Sequence, residues 1–260
     1  MQEYKPSITY LSATRYENNY GIVNDFTQLP HQSYSIAYIL NGGADFISDY
    51  GTVTAAADDV VFIPLDTRYI SRWHGVPASS FLSCYFNISS FCEPFWNKRF
   101  NIQKVSGLEK FRIEFERIAD GKYSELYAVS VLYNMCFELS ERLEYTEITG
   151  ADERINAAAE YIRANTTEKI PISRLARIAN MSVSHFQRCF KKETGLSPIE
   201  FKNEILISNA AQMLLDNRSL TIEAVSAEFG FESSIYFRRL FKAHTGKTPG
   251  EYRKSMSGSV

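Results

Sequence analysis

The second half of the chain contains two versions of one sequence: ISRLARIANMSVSHFQRCFKKETGLSP at residues 172–198 and IEAVSAEFGFESSIYFRRLFKAHTGKTP at residues 222–249. Three pairs recur at an offset of 51, namely Phe190 with Phe241, Gly195 with Gly246, and Pro198 with Pro249. Ile172 and Ile222 are offset by 50, so the turn of the second copy has one extra residue. So many matches at one offset indicate an internal duplication.

Each copy predicts a helix, a short turn and a second helix. Ser182 is the expected N-cap of the second helix in the first copy, because its hydroxyl can accept a hydrogen bond from a free backbone N–H. Gly195 ends that helix in a left-handed conformation, with Pro198 just beyond it, and the second copy repeats this ending. The predicted buried sides are Phe186, Cys189 and Phe190 in the first copy and Phe237, Leu240 and Phe241 in the second.

The opposite side of each second helix carries the candidate binding residues. They are Ser184, Gln187, Arg188 and Lys191 in the first copy, and Ile235, Arg238, Arg239 and Lys242 at the equivalent positions of the second. The spacing i, i+3, i+4 and i+7 places each set on one stripe. Arg and Gln can read base edges in the major groove, Lys suits phosphates, and Ile235 can touch a thymine methyl. A single such stripe is usually a solvated polar face, but its occurrence in two helix-turn-helix units favours DNA binding.

Residues 201–217 predict one helix between the two copies, with Ile205, Leu206, Ala210, Met213 and Leu214 on its apolar side. A rigid helix at this place would hold both units in a fixed relation. We expect them to meet successive major grooves of one duplex, about 34 Å apart.

The first half of the chain begins with short β-rich segments. Residues 34–40, 60–63 and 80–86 are apolar runs that end at turn residues, which predicts an antiparallel sandwich or small barrel. After residue 107 the apolar spacing becomes helical. The first helix has Leu108, Phe111, Phe115 and Ile118, and the second has Leu126, Val129, Leu132, Tyr133, Cys136, Phe137, Leu139 and Leu143. These helices could cover the open side of the barrel, and part of the longer one could face a second copy of the chain.

The two halves also differ in charge and composition. Residues 1–150 carry 12 Lys/Arg and 18 Asp/Glu, whereas residues 151–260 carry 16 and 12, and 26 of the 36 aromatic residues lie in the first half. This asymmetry predicts two domains with different partners, and the polar segment 146–152 is the expected boundary. We assign residues 1–148 to the first domain and residues 149–260 to the second.

Overall composition excludes several protein classes. The apolar fraction of 45% and the charged fraction of 22% are typical of globular proteins and argue against global disorder. No run of 18 apolar residues occurs, and the first residues lack the pattern of a signal peptide, so we expect a cytoplasmic protein without a membrane partner. The four cysteines form no CxxC pair, which argues against a disulfide framework and a zinc module.

The second half resembles the AraC/XylS family of bacterial transcription regulators over residues 152–254. The resemblance rests on GFESSIYFRRLFK at residues 230–242, GKTP at residues 246–249, and Tyr252-Arg253. It implies that base pairs are faced by Ser184, Gln187 and Arg188 in the first unit and by Ser234, Ile235, Arg238 and Arg239 in the second. Leu206 stands where the family usually has an Arg, so a contact from the linking helix is not carried over.

The first half is similar to the cupin-like effector domain of the same family. The landmarks are His31, Gly42-Gly43 and the segment DDVVFIP at residues 58–64, although Ala57 or Asp58 replaces a usual Gly and Tyr69 a common His. His31 and His74 are the only histidines in residues 1–150, so we expect neither a metal nor another cofactor. The expected fold is a two-domain α+β chain. Its N-terminal part is an antiparallel, cupin-like β-barrel followed by helices, and its C-terminal part is an all-α domain of two helix-turn-helix units joined by a long helix.

An effector pocket is expected in the N-terminal domain. Small-molecule sites combine aromatic walls with a few polar groups, which Tyr38, Arg68, Arg72, Trp73 and Tyr85 could supply. The alternative is that the aromatic residues belong to the barrel core and the arginines to the surface. The family favours a carbohydrate as the effector.

The leading hypothesis is a dimeric, sequence-specific regulator that binds promoter DNA and is gated by a small molecule. The resemblance implies activation by contact with RNA polymerase. One alternative is a regulator of the same fold without a ligand. Another is a cupin-like enzyme that uses its helices for protein contacts, although no clustered metal ligands or nucleophile–base pair supports it.

Overall fold

The computed structural model describes residues 8–88, 98–121, 123–147, 152–217 and 219–255. The chain separates into two compact units, with the division between Glu147 and Ile148. Cys92 and most of the expected linker, residues 148–151, lie outside the described residues. Among the described helices, none combines the length and the apolar character that a membrane span requires.

The first unit is built on antiparallel strands. They are, in chain order, β1 (Ile8–Asn19), β2 (Val23–Asp25), β3 (Tyr34–Asn41), β4 (Gly43–Ser48), β5 (Gly51–Ala56), β6 (Val60–Ile63), β7 (Tyr69–Trp73), β8 (Ala78–Ile88), β9 (Lys98–Phe100), β10 (Gln103–Lys104) and β11 (Tyr145–Glu147). One sheet has the order β1-β8-β3-β6-β10, a second has the order β2-β7-β4-β5, and β9 pairs with β11. All these pairings are antiparallel.

Two helices lie between β10 and β11, namely α1 (Arg112–Ala119) and α2 (Glu125–Arg142). They pack on one face of the five-stranded sheet, where Tyr38 of β3 lies opposite Leu82 of β8. The opposite face of that sheet meets the four-stranded sheet, since Trp73 of β7 stacks on Phe81 of β8 with ring centroids 4.1 Å apart. The unit therefore has three layers: small sheet, large sheet and helices.

The predicted apolar stripe of α2 is correct at its centre and wrong at two positions. Leu132, Cys136 and Leu139 are buried against the sheet, whereas Leu126 and Phe137 are exposed. Residues 126 and 137 are separated by eleven positions, about three helical turns, so they share one outward side. Both side chains therefore face away from the core of this unit.

The second unit is helical. Its helices are α3 (Glu153–Ala164), α4 (Ile172–Ile178), α5 (Val183–Thr194), α6 (Pro198–Asp216), α7 (Ile222–Glu228), α8 (Ser234–Thr245) and α9 (Pro249–Ser255). The linking helix α6 packs against α3, α5, α7, α8 and α9, so it holds both halves of the duplication. It begins three residues before the expected start, because Ser197 and Glu200 form a capping box ahead of the first turn. The predicted two-domain α+β fold is confirmed.

Candidate DNA-binding surface

The turn of each helix-turn-helix unit begins in the same way. In the first unit Asn180 has φ 51°, and in the second Gly230 has φ 72°. The next backbone N–H closes the turn in both units: Met181 donates to the Ala176 carbonyl at 2.9 Å and Phe231 to the Ser226 carbonyl at 3.0 Å. Asn and Gly are the residues that tolerate this left-handed conformation best, which explains their place here.

The extra residue of the second copy lies after this left-handed residue. Asn180 and Gly230 are offset by 50, whereas the N-cap residues Ser182 and Ser233 are offset by 51. The insertion therefore falls between the start of the turn and the second helix, and it changes the length of neither helix.

The N-cap prediction for Ser182 is only half correct. Ser182 occupies the cap position of α5, but its side chain makes no capping hydrogen bond. In the second unit the Ser233 hydroxyl does accept a hydrogen bond from the Tyr236 N–H, at 3.3 Å. The first unit thus leaves a serine hydroxyl at the exposed start of its second helix.

Both second helices end in the same way. Gly195 and Gly246 are left-handed, with φ 78° and 72°, as the sequence predicts. The preceding threonine donates its hydroxyl to a helix carbonyl at 2.8 Å in each unit, Thr194 to Phe190 and Thr245 to Phe241. These bonds fix the end of each helix and hence its length.

The duplication extends beyond the residues from which the sequence predicts it. The caps of α6 and α9 repeat at an offset of 51, since the backbone N–H groups of Ser197 and Thr248 each donate to a glutamate three residues on, at 2.8 Å. The aromatic contacts repeat as well. Phe190 meets Phe201 edge to face at 5.4 Å, and Phe241 meets Tyr252 in the same way at 5.4 Å. In the sequence, the offset of 51 between Phe201 and Tyr252 could have indicated this longer repeat.

The buried sides of α5 and α8 hold the two second helices in place. Phe186, Phe190, Phe237 and Phe241 are fully buried, as predicted, whereas Cys189 and Leu240 are only half-buried. Burying a phenylalanine side chain contributes roughly 1.5–3 kcal/mol, so four of them hold the outward faces of these helices firmly.

The predicted binding residues lie on the outward faces. Ser184, Gln187, Arg188, Lys191, Ile235, Arg238, Arg239 and Lys242 are exposed, and Ser234 is half-buried. Ile235 is the most unusual, because 79% of an isoleucine is left in solvent. This apolar side chain lies at the start of the basic stripe of α8.

Two arginines of α8 have partners within the unit. The Nη2 atom of Arg238 donates to Oε1 of Glu223 in α7. The guanidinium of Arg239 lies over the Tyr236 ring, 5.5 Å from its centroid. Both arginines remain exposed, so these contacts orient the guanidinium groups without burying them.

The five expected effector residues do not come together. Trp73 and Tyr85 are buried between the two sheets, Tyr38 is buried on the other face of the larger sheet, and Arg68 and Arg72 are exposed. Successive residues of a strand point to opposite faces, which separates Tyr38 from Tyr85 across the sheet. Arg68 instead donates to the backbone carbonyl of Gln28 at 3.3 Å.

Tyr38 serves a contact between the sheet and α1. Its hydroxyl donates to Asp58 at 2.9 Å, and Arg112 of α1 approaches the same carboxylate to 3.3 Å. Burial, and then the bond to the Asp58 carboxylate, raise the pKa of Tyr38 above its usual range. The arrangement connects the turn after β5 to α1. The burial of Tyr38 agrees with the alternative that the aromatic residues belong to the barrel core.

The space between the sheets is aromatic and contains one buried histidine. The His31 ring lies 4.3 Å from the Phe26 ring and 5.3 Å from the Tyr85 ring, and Tyr69 is a further neighbour. Burial lowers the pKa of His31 to about 4, so the imidazole is neutral at pH 7. Sequence reasoning did not assign His31 to this cluster, because its neighbours come from different strands.

Comparison with known proteins agrees with the duplicated geometry. The model of a helix-turn-helix domain family matches residues 175–255. The arabinose operon regulatory protein of Escherichia coli is 29% identical over 142 residues, which cover 54% of this chain and 48% of that protein. The Msm operon regulatory protein of Streptococcus mutans is 24% identical over 241 residues, covering 87% of this chain and 86% of that protein. These relatives are operon regulators, and the matches agree with the resemblance of the chain to the AraC/XylS family.

The similarity to a solved structure covers both units. The crystal structure of unsaturated-fatty-acid-bound ToxT from Vibrio cholerae covers 100% of this chain and 99% of that one, with a TM-score of 0.59 and 17% identity. At this identity the match shows a shared fold. The match includes the sheet-rich first unit and the helical second unit. The chain spans about half the length of the arabinose regulator that it matches.

Proposed function

We propose that this chain is a sequence-specific DNA-binding transcription regulator whose N-terminal unit binds a small molecule. The observation that carries the proposal is the repeated exposed stripe on α5 and α8, held by equivalent buried phenylalanines. The AraC/XylS relationship supports it, because the matched relatives are operon regulators.

We assign base-edge contacts to the Gln, Arg, Ser and Ile side chains of the two stripes and phosphate contacts to their lysines. The base-reading set is Ser184, Gln187, Arg188, Ser234, Ile235, Arg238 and Arg239, and the phosphate-binding set is Lys191 and Lys242. The division follows from chemistry: Arg and Gln offer paired donors to a base, whereas Lys acts as a point charge.

Selection of duplexes from a randomised pool by the full chain tests this function. The selected duplex should then bind at physiological salt at least about a thousandfold more tightly than a scrambled one, as specific regulators do. Equal binding of the selected and scrambled duplexes, measured by gel shift, would refute the proposal.

The effector is assigned to the N-terminal unit on two grounds. That unit encloses an aromatic interior, and the ToxT structure of the same fold is bound to an unsaturated fatty acid. A carbohydrate is our first expectation and a fatty acid the second. Thermal unfolding with panels of both classes tests this, because a ligand at about 100 times its Kd adds roughly 2.7 kcal/mol of stability. No shift with either panel would favour a regulator that works without a small molecule.

The remaining assignments follow from this function. We infer a homodimer in the cytoplasm that acts on promoter DNA and contacts RNA polymerase, with residues 1–148 as the effector and dimerisation domain and residues 149–260 as the DNA-binding domain. The exposed Leu126 and Phe137 on α2 support the dimer. We expect activation of transcription, which a reporter fused to a selected site would register as increased expression.

We also infer that the chain is not an enzyme and holds no metal. In the part of the chain that the structure describes, no group of three or more His, Cys, Asp or Glu side chains could hold a metal ion. Elemental analysis of the purified full chain tests this inference. Stoichiometric zinc, iron or manganese would contradict it.

A further inference from the structure

The first helices of the two helix-turn-helix units differ in charge. In α4 the charged residues are Arg174 and Arg177, whereas in α7 they are Glu223 and Glu228. The two helices have the same length and occupy equivalent places. The first helix of the second unit is therefore acidic and that of the first unit basic, although the charged residues lie at different positions and both units carry a basic second helix.

One of these acidic groups contacts the proposed DNA-reading stripe. Glu223 accepts a hydrogen bond from the Nη2 of Arg238, and the two side chains are 59% and 49% exposed. The equivalent positions of the first unit are Ser173 and Gln187, which cannot form an ion pair. The contact is thus a specific feature of the second unit.

Glu223 is negatively charged at neutral pH. A hydrogen bond from its own backbone N–H at the start of α7, and then the bond from Arg238, lower the pKa of its carboxyl group. A carboxylate at this place lies next to a side chain that would meet DNA. It would repel any phosphate that approached Arg238.

We propose that Glu223 sets the sequence selectivity of the second unit by holding Arg238 ready for a base edge and away from phosphates. The proposal rests on the DNA-binding function proposed above. One of the five N–H donors of Arg238 is used by Glu223, so the others can still reach a guanine edge. Turning to a phosphate would break the pair and leave a carboxylate beside the negative backbone.

Glu223 therefore opposes non-specific binding more than specific binding. An arginine free of its carboxylate can bind a phosphate on any sequence, which adds one contact to the salt-dependent affinity. On a matching site Arg238 stays with its base, so the carboxylate costs little there. Glu223 thus increases sequence selectivity because its carboxylate disfavours the contact of Arg238 with a phosphate, which any sequence offers.

The variant Glu223→Gln tests the proposal, with Glu228→Gln as the matched control on the same helix. Both remove one negative charge from an exposed side chain, but Glu228 lies at the other end of α7. Duplexes are one selected from a randomised pool by the wild-type chain and one scrambled. Affinities are measured at several salt concentrations with the full chain.

Glu223→Gln should bind the scrambled duplex about eightfold more tightly than wild type at 0.1 M salt, and its salt slope should steepen by about 0.9. Affinity for the selected duplex should change by about twofold or less, so the selectivity ratio falls. Glu228→Gln should leave both the ratio and the slope near wild type. In an Arg238→Ala background, Glu223→Gln should no longer tighten binding to the scrambled duplex.

An equal gain on both duplexes, or the same effect from Glu228→Gln, would overturn the proposal. A gain that persists in the Arg238→Ala background would also overturn it, since the carboxylate would then act without Arg238. If the wild-type chain itself does not prefer its selected duplex, the DNA-binding function fails instead. The two failures are thus distinguishable.

Discussion

Arg239 and Lys191 represent the two kinds of DNA contact that we propose for this surface. The guanidinium of Arg239 is restrained over the Tyr236 ring, which limits the freedom that it would lose on binding a base. Lys191 is exposed on the last turns of α5 and has a flexible stem. A residue that reads a base should affect one sequence position, whereas a residue that binds a phosphate should affect all sequences.

We expect Arg239→Ala to cost about 1–3 kcal/mol on the selected duplex and to relax selectivity at one base pair. Lys191→Ala should weaken binding to selected and scrambled duplexes alike and reduce the salt slope by about 1. Gel shifts across a panel of single-base variants of the selected duplex measure both effects. Equal losses on all sequences for Arg239→Ala would show that this arginine binds the backbone.

His31 should make the stability of the protein depend on pH between 7 and 5. Its pKa is lowered to about 4 by burial, against about 6.5 in an unfolded chain. In this window the unfolded state takes up the proton and the folded state does not, so stability falls as the pH falls. The expected loss from pH 7 to pH 5 is about 2 kcal/mol.

Urea unfolding of wild type and of His31→Phe at pH 7, 6 and 5 measures this loss. The variant should show a flatter dependence on pH, whatever its absolute stability. His74→Gln, which removes an exposed imidazole instead of the buried one, is the comparison variant. A wild-type stability that is constant between pH 7 and pH 5 would show that His31 is not buried in the neutral form.

At the residue scale, the sequence predicts which side of a helix a residue occupies, because that depends on the helical period. It does not predict which face of a sheet a residue occupies, because that depends on how strands pair and what covers them. The outward position of Gln187, Arg188 and Arg239 follows from their spacing to buried phenylalanines on the same helix. The separation of Tyr38 from Tyr85 does not follow from sequence, because it depends on which face of the larger sheet the helices cover. For the same reason the expected effector set did not form one site.

Two glycines only four residues apart have different roles at the level of helices. Gly246 ends α8 with φ 72°, whereas Gly250 lies inside α9. A Cβ atom added at either glycine would meet no other atom within 4 Å. An alanine at Gly246 is therefore strained only by its backbone angle. At Gly250 an alanine has room and favours the helix.

We expect Gly246→Ala to destabilise the protein by about 1 kcal/mol and Gly250→Ala to stabilise it by about 0.5–1 kcal/mol. The chemical change is the same in both variants, so each is the control of the other. Urea unfolding of the two variants against wild type gives both values. Effects of the same sign would show that the left-handed end of α8 is not a determinant of its stability.

Element boundaries were predictable where local chemistry sets them. The glycine and proline at the end of each helix-turn-helix unit and Ser182 before α5 are local signals, and α5 and α8 lie where these signals place them. Several strands have no such signal. In β5 only Ala55 is buried, so the segment lacks the alternation by which a strand is recognised. Its pairing with β4 and the packing of the two sheets stabilise it instead.

At the scale of the whole molecule, the outward side of α2 bears on assembly. It carries Leu126 and Phe137, and both side chains are exposed in the described part of the first unit. Two exposed apolar side chains on one long helix can pack against the same pair of a second copy, which is the self-complementary contact of a two-fold dimer. Such a dimer would also give the DNA-binding units two half-sites to read.

We expect Phe137→Glu to convert the proposed dimer to a monomer, because each interface would bury two carboxylates in an apolar contact. Tyr50→Glu is the matched control, since Tyr50 is 66% exposed and Phe137 63%, but Tyr50 lies in the turn between β4 and β5. Sedimentation velocity of both variants and of wild type measures the mass in solution. A dimer that survives Phe137→Glu would place the interface elsewhere, and a monomeric wild type would remove the dimer from the proposed mechanism. If the dimer dissociates only in Phe137→Glu, affinity for a two-half-site duplex should fall with it, while affinity for a single half-site should stay near wild type.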